Sequence, residues 1–104
     1  MPTYLHQWTY KDQHVKKMLI EREDRERVVR TVVEAFDGTL ECFYYAMGQY
    51  HGIAITTFPN EQVALACSMA IFSLGRTDSV QTTPLFTTEQ GLEAMSHAGG
   101  IMNP

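Results

Sequence analysis

The stretch FYYAMGQYHGIAI, residues 43–55, constrains the fold of this chain more than any other. Two runs rich in aromatic and β-branched residues flank Gly48-Gln49, as in two strands joined by a two-residue turn with glycine in its first, positive-φ position. The turn predicts a register in which Tyr44 lies opposite Ile53, and directly opposed residues share one face of a sheet. A lone hairpin is marginally stable, so the remaining chain must supply further strands or a helix that packs on it.

The remaining sequence predicts two more strands and several helices. The first half of the chain is predicted to form a strand over residues 2–8, a helical region over 10–36 that breaks near IEREDRER, and strands over 39–47 and 50–58. The second half is predicted to form a helix over 61–75, a strand over 79–86, and a short helix to Ala98 followed by the tail GGIMNP. The charged run IEREDRER is interpreted as a solvated helix face. The predicted helix caps are Thr9 with Asp12, Asn60, and Thr87 with Gln90.

This element order, βαββαβ with one extra helix, has a strongly preferred packing. Right-handed crossovers place the third strand between the first and the second. The result is an α+β, ferredoxin-like fold in a single domain over residues 1–104, with a four-stranded antiparallel sheet and both main helices on one face. The other face, here called the open face, is left uncovered, so we expect a homodimer in which two open faces meet.

Composition narrows the partners and the location. The net charge of −4 and the pI near 5.4 argue against nucleic acid, which requires clustered Lys and Arg. MPTYLHQWTY lacks the pattern of a signal peptide, and the run VALACSMAIF is too short to span a bilayer, so we expect a cytoplasmic protein without membrane contact. Cys42 and Cys67 are predicted to be free thiols, and no metal or cofactor is expected from the ligand spacing.

Three segments resemble the GYD-domain family, small proteins of the dimeric α/β-barrel superfamily: MPTYL, FYYAMGQYHGIAI, and FPN before an Ala-rich helix. Gly48, Gln49 and Tyr50 match the Gly-x-Tyr of the family's Gly-x-Tyr-Asp hallmark, and His51 stands in place of the aspartate. The resemblance implies a dimeric α/β barrel but no defined activity. More distant relatives include isomerases, cofactor-free monooxygenases and haem enzymes, a range too broad to select a reaction.

The hairpin register divides the candidate residues between two faces. One hairpin face carries Phe43, Met47, Ala54 and Phe58, which suits apolar helices, and Leu5 is expected to join it. The opposite, open face should then line a cavity between two sheets. The residues predicted for that cavity are Tyr4, His6 and Trp8 from the first strand and Tyr44, His51 and Ile53 from the hairpin.

These residues describe an apolar pocket with a few polar tips, which is typical of a small-ligand site. His51 is the first candidate for a general acid or base, with His6 as its partner and Tyr44 as a donor that polarises a carbonyl group. Tyr4, Trp8 and Ile53 would contact the ligand. The favoured activity is a cofactor-independent isomerase, lyase or cyclase that acts on a small aromatic or unsaturated carbonyl compound.

Other interpretations stay open at this point. The aromatic and histidine side chains can simply fill the interior of a dimer, or they can bind a small ligand without turnover. Haem binding is the less favoured alternative, with His97 of the last helix as the candidate axial ligand. A metal held by His6 and His51 would lack a third ligand.

Overall fold

The computed structural model describes residues 1–103. In this range the chain forms four strands and four helices in the order β1 (Thr3–Tyr10), α1 (Asp12–Glu21), α2 (Arg25–Ala35), β2 (Thr39–Tyr45), β3 (Gly52–Thr57), α3 (Glu61–Ser73), β4 (Thr77–Leu85) and α4 (Thr88–Met102). The strands form one antiparallel sheet in the order β2-β3-β1-β4. The predicted α+β fold with its ferredoxin-like order is therefore confirmed, including the position of the third strand between the first and the second.

The helix boundaries follow local chemistry, with one correction. The long helical region does break, because Arg22 adopts a left-handed conformation with φ of 50° and Asp24 caps α2 by accepting a hydrogen bond from the Arg27 N–H. The predicted cap at Thr9 with Asp12 is wrong, since β1 continues to Tyr10 and α1 begins without a side-chain cap.

The other two predicted caps are confirmed. Asn60 accepts a hydrogen bond from the Val63 N–H at the start of α3, and Thr87 with Gln90 forms a reciprocal capping box on α4. The last helix runs to Met102, beyond the predicted end at Ala98. Pro104, the last residue of the predicted tail, lies outside the described residues.

The predicted hairpin register is confirmed, but β2 ends at Tyr45 and β3 begins at Gly52, so the connection is longer than the predicted two-residue turn. Tyr44 lies opposite Ile53, and the Ala46 N–H donates a hydrogen bond to the His51 carbonyl oxygen at 2.8 Å. Gly48 has a φ of 132°, which a side chain would disfavour. Further along the hairpin, the pairing shifts between Leu40 and Cys42, so a bulge absorbs one residue of β2.

The predicted facing of the first strand is wrong. Trp8 pairs with Gly52 and His6 pairs with Ala54, whereas the predicted open face required His6 to lie opposite Ile53, one residue away. Because side chains alternate along a strand, a slip of one residue exchanges the two faces. The side that packs against the helices therefore carries Tyr4, His6 and Trp8, whereas Leu5 lies on the open face.

Two clusters of buried side chains form the core on the helix side of the sheet. The first joins Tyr4 and Phe58 to Val33 of α2 and to Ala64 and Cys67 of α3. The second is formed by Trp8, Tyr10, Leu40, Phe43 and Ala54. The predicted burial of Phe43, Ala54 and Phe58 is thus confirmed, while Met47 is fully exposed in the turn, contrary to the prediction.

The last helix gives the chain an elongated shape. The radius of gyration of the Cα atoms is 16.6 Å, against about 13 Å for a compact chain of this length. None of the residues of α4 within the described range is buried, and its apolar side chains Leu92, Met95, Ile101 and Met102 face solvent. Among residues 1–103, no helix combines the length and apolarity needed to cross a bilayer.

Candidate functional site

A cavity of about 70 Å³ lies between the sheet and the helices α2 and α3. Its apolar lining includes Trp8, Val33, Phe58, Ile71 and Val80. Polar side chains interrupt this lining at several points: His6, Tyr10, Arg25, Thr56, Ser68 and Thr82. An apolar cavity with a few fixed polar groups is the usual anatomy of a site for a small molecule.

His6 is held inside this cavity by two threonine hydroxyl groups. Its Nε2 lies 2.7 Å from the Thr56 Oγ1, and its Nδ1 lies 3.1 Å from the Thr82 Oγ1. Thr56 is 1% exposed on β3, whereas Thr82 is exposed on the edge strand β4. Burial lowers the pKa of His6 to about 4, because the imidazolium form loses its hydration, so the ring is neutral at physiological pH.

In the group formed by His6, Thr56 and Thr82, one hydroxyl hydrogen has no acceptor. A neutral imidazole and two hydroxyls carry three hydrogens, and the two bonds between them use two. In one tautomer the Nε2–H donates to Thr56 and the Thr82 hydroxyl donates to Nδ1, so the Thr56 hydroxyl hydrogen has no acceptor. In the other tautomer the Nδ1–H donates to Thr82 and the Thr56 hydroxyl donates to Nε2, so the Thr82 hydroxyl hydrogen has none. In the described part of the chain neither hydroxyl has another side-chain partner, so a donor can meet a ligand in either tautomer.

A charged cluster lies at the other end of the cavity. The Arg25 Nη1 donates a hydrogen bond to the Glu23 Oε1 at 2.9 Å, and the Arg76 Nη1 lies 3.9 Å from the same oxygen. The Arg25 guanidinium lies over the Tyr10 ring, 5.9 Å from its centroid. Burial raises the pKa of Tyr10, an effect opposed by the Trp8 indole N–H and by Arg25, which lie close to its oxygen.

The residues predicted for one cavity are distributed over three places. His6 and Trp8 line the cavity described above, and Tyr4 packs in the core beside it, with its ring centroid 6.3 Å from that of His6. Tyr44 and Ile53 lie on the open face, where Tyr44 is 65% exposed. The predicted grouping is therefore wrong, for the reason of register given above.

His51 lies at the end of the sheet, outside that cavity. Its Nδ1 accepts a hydrogen bond from the Tyr10 backbone N–H at 2.9 Å, and its ring stacks on the Tyr10 ring with centroids 6.1 Å apart. The accepting nitrogen must carry no proton, so the neutral ring is protonated at Nε2. This bond satisfies a backbone donor where β1 leaves the sheet. The roles of His51, His6 and Tyr44 in proton transfer stay predictions.

Two of the cavity residues were not predicted from the sequence, since Tyr10 was expected in a helix and Arg25 in a solvated charged run. A signal for Tyr10 was present, because Tyr4, His6, Trp8 and Tyr10 continue one alternating pattern. No comparable signal marked Arg25, whose burial depends on tertiary packing against Tyr10.

The other candidate side chains lie apart from the cavity or are unreactive. His97 is exposed on α4, and Cys42 and Cys67 are free thiols. Burial raises the pKa of Cys67 to about 11, which leaves its thiol protonated and a poor nucleophile. In the described range, no group of three His, Cys, Asp or Glu side chains is placed to hold a metal ion.

Comparison with known proteins gives one match. The sequence model of the GYD domain matches residues 4–95, which is most of the chain. No curated protein and no solved structure shows significant similarity to it.

Proposed function

The chain belongs to the GYD-domain family, and from this premise and the geometry of its cavity we propose that the protein binds a small unsaturated carbonyl compound beside His6. The observation that carries the proposal is the Thr56–His6–Thr82 group inside an apolar cavity, which keeps one hydroxyl hydrogen available to a carbonyl oxygen. A neutral imidazole is suited to such a site, since it polarises a carbonyl group without the cost of a buried charge.

The size of the cavity favours a short chain over a ring. Its volume of about 70 Å³ is about half that of an engineered cavity of about 150 Å³ that holds benzene. Phe72 lines the cavity and is 52% exposed, which places it at the border with solvent. A straight-chain unsaturated carbonyl compound therefore fits better than an aromatic aldehyde, unless Phe72 moves outward.

The test compares crotonamide with benzamide by NMR titration of the protein. Crotonamide should shift the His6 ring nitrogens and the cavity-lining methyl groups, and His6→Gln should weaken its binding about five- to tenfold, the effect of one lost hydrogen bond. The matched control is His97→Gln on the exposed surface of α4, which should leave the affinity unchanged. Absence of shifts in the cavity, or equal loss in both variants, would contradict the proposal.

Proton transfer at His6 is the second candidate function, favoured by the neutral state of the imidazole. The reaction that suits it is the conversion of a β,γ-unsaturated ketone to its conjugated isomer. The substrate would displace the threonine hydroxyl that donates to the His6 ring. The freed ring nitrogen would take the proton from the carbon next to the carbonyl group, and a proton would return to the γ-carbon, so the step needs neither oxidant nor cofactor. Because His51 and Tyr44 lie elsewhere, this candidate rests on His6 alone.

Isomerisation of pent-4-en-2-one to pent-3-en-2-one, followed by ultraviolet absorbance, tests this second candidate. The value of kcat/KM should rise as the pH passes through about 4, where His6 loses its proton, and stay level towards neutrality. His6→Gln should lower the rate by about 10²–10⁴-fold. If crotonamide binds but the ketone is not isomerised, binding without turnover is the function and proton transfer is dropped.

We also propose that the protein is a homodimer. The accessible surface of the chain is 7440 Å², against about 5,900 Å² for a compact monomer of 11.8 kDa, an excess of about 1,500 Å². A standard interface buries about 800 Å² on each partner. The apolar surface for a second copy is supplied by the open face of the sheet, with Leu5, Tyr44, Ile53 and Ile55, and by the exposed apolar side chains of α4.

Analytical ultracentrifugation at micromolar concentration tests this assembly. The wild-type protein should sediment with about twice the monomer mass of 11.8 kDa. Ile55→Asp on the open face should dissociate it, whereas Leu19→Asp on the exposed surface of α1 should not. A wild-type monomer, or dissociation by the α1 variant alone, would refute the open face as the interface.

A further inference from the structure

Four buried polar atoms lack a hydrogen-bond partner, and all of them lie in the charged cluster at the end of the cavity. Within residues 1–103, they are the Tyr10 hydroxyl, His14 Nε2, Glu23 Oε2 and Arg25 Nε. Tyr10, His14 and Arg25 are each more than nine-tenths buried. An unpaired buried donor costs free energy comparable to a lost hydrogen bond, so such a concentration in one place requires a physical reason.

Two of these atoms belong to residues that line the cavity. The Arg25 Nε–H can only donate a hydrogen bond, and the Tyr10 hydroxyl can donate one. The Trp8 indole N–H, which can also only donate, lies close to the same Tyr10 oxygen and belongs to a third residue of the lining. The Tyr10 oxygen can accept from this indole N–H, and His14 Nε2 lies 3.9 Å from Glu23 Oε2. The Tyr10 hydroxyl hydrogen and the Arg25 Nε–H are left as donors, and an acceptor in the cavity would satisfy them.

The charges around these donors favour an anion over a neutral acceptor. The Glu23 carboxylate lies between two guanidinium groups, those of Arg25 and Arg76, so the group of three carries one excess positive charge. Burial lowers the pKa of His14, as does the neighbouring Arg25, so its imidazole contributes less positive charge than that of a free histidine. The buried Arg25 is paired with Glu23, and the excess charge is that of Arg76, whose side chain is 35% exposed. A carboxylate bound at the donors would therefore meet a net positive potential.

We propose that the ligand of the cavity is a carboxylic acid whose carboxylate binds to Arg25 and Tyr10. This inference rests on the proposed function and adds the substrate class to it. His6 and Tyr10 are four residues apart on β1, which corresponds to about 13 Å along the strand. The ligand is thus a straight-chain unsaturated acid, with its carboxylate at Arg25 and its chain directed towards His6.

The experiment titrates the full-length protein with sorbate and with its neutral amide, sorbamide, and follows binding by NMR. Sorbate should bind at least about tenfold more tightly than sorbamide, because hydrogen bonds to a charged group are the stronger ones. The Nε–H resonance of Arg25 should shift with sorbate only. Tyr10→Phe, which removes a single oxygen atom, should reduce the affinity for sorbate about tenfold and leave that for sorbamide unchanged.

Tyr44→Phe is the matched control, since it removes the same atom from an exposed position on the open face. Arg25→Lys keeps the charge and removes the Nε–H, and it should also lose the preference for sorbate. If Arg25→Lys fails to fold, the result for Tyr10→Phe decides the test. Equal affinity for both compounds, with shifts in the cavity, would overturn the carboxylate site and leave the proposed function intact. Absence of cavity shifts with either compound would overturn both.

Discussion

Replacing His6 with glutamine should remove a large part of the acid sensitivity of this protein's stability. Burial lowers the pKa of His6 to about 4 in the folded protein, whereas a histidine in the unfolded chain titrates near pH 6.5. Between these values the unfolded chain binds the additional proton, so the free energy of unfolding falls as the pH falls. At about 1.4 kcal/mol per pH unit, this one residue accounts for roughly 3 kcal/mol across the interval, a contribution that is fully present only above about pH 6.5.

The assay is urea denaturation of the wild-type protein and of His6→Gln at intervals from pH 4 to pH 7.5. The difference between the two isolates His6, because the carboxylates and His14 titrate in both proteins. The free-energy difference, wild type minus variant, should fall by roughly 3 kcal/mol from pH 7 to pH 4. His97→Gln controls for the loss of an exposed histidine. A difference between wild type and His6→Gln that stays constant across the range would refute the buried, neutral state of His6.

Two further experiments test the packing around the cavity. Gly52→Ala should lower the free energy of unfolding by about 1–3 kcal/mol, since the new Cβ would overlap the Trp8 indole ring. Gly91→Ala, with no neighbour within 4 Å, should not lower it, and equal effects would contradict the close approach of Trp8 to Gly52. In a Cys42→Ser background, the Cys67 thiol should react with an aromatic disulfide reagent about a hundredfold more slowly in the folded than in the unfolded protein, because its pKa rises from 9.0 to about 11. Equal rates would show that the thiol is accessible and unperturbed.

The features fixed by local chemistry could be predicted from the sequence. The hairpin register followed from Gly48, the capping box of α4 from Thr87 and Gln90, and the order of strands from the chirality of crossovers. Each of these depends on residues that are close in the chain or on a general rule of connection. The family resemblance at the hairpin also rests on residues that are close in the chain, and it predicted the correct fold.

The pairing of β1 with β3 could not be predicted, because no turn joins these strands. Its register is decided by which face of β1 buries more apolar area against the helices. Leu5 suggested one face, but Tyr4, Trp8 and Tyr10 together bury a far larger surface on the other. That single-residue slip moved His6 from the open face into the cavity under the helices, and with it the candidate site.

We propose that the ligand site lies between the sheet and the helices and not on the open face. NMR spectra of the methyl groups of the protein, recorded with increasing crotonamide, test this because each side of the sheet has its own reporter residues. Val33, Ile71 and Val80 line the cavity, whereas Ile53 and Ile55 lie on the open face. The cavity methyl groups should shift together in a saturable way while those of the open face stay still. Shifts confined to Ile53 and Ile55 would place the ligand on the open face and contradict a site under the helices.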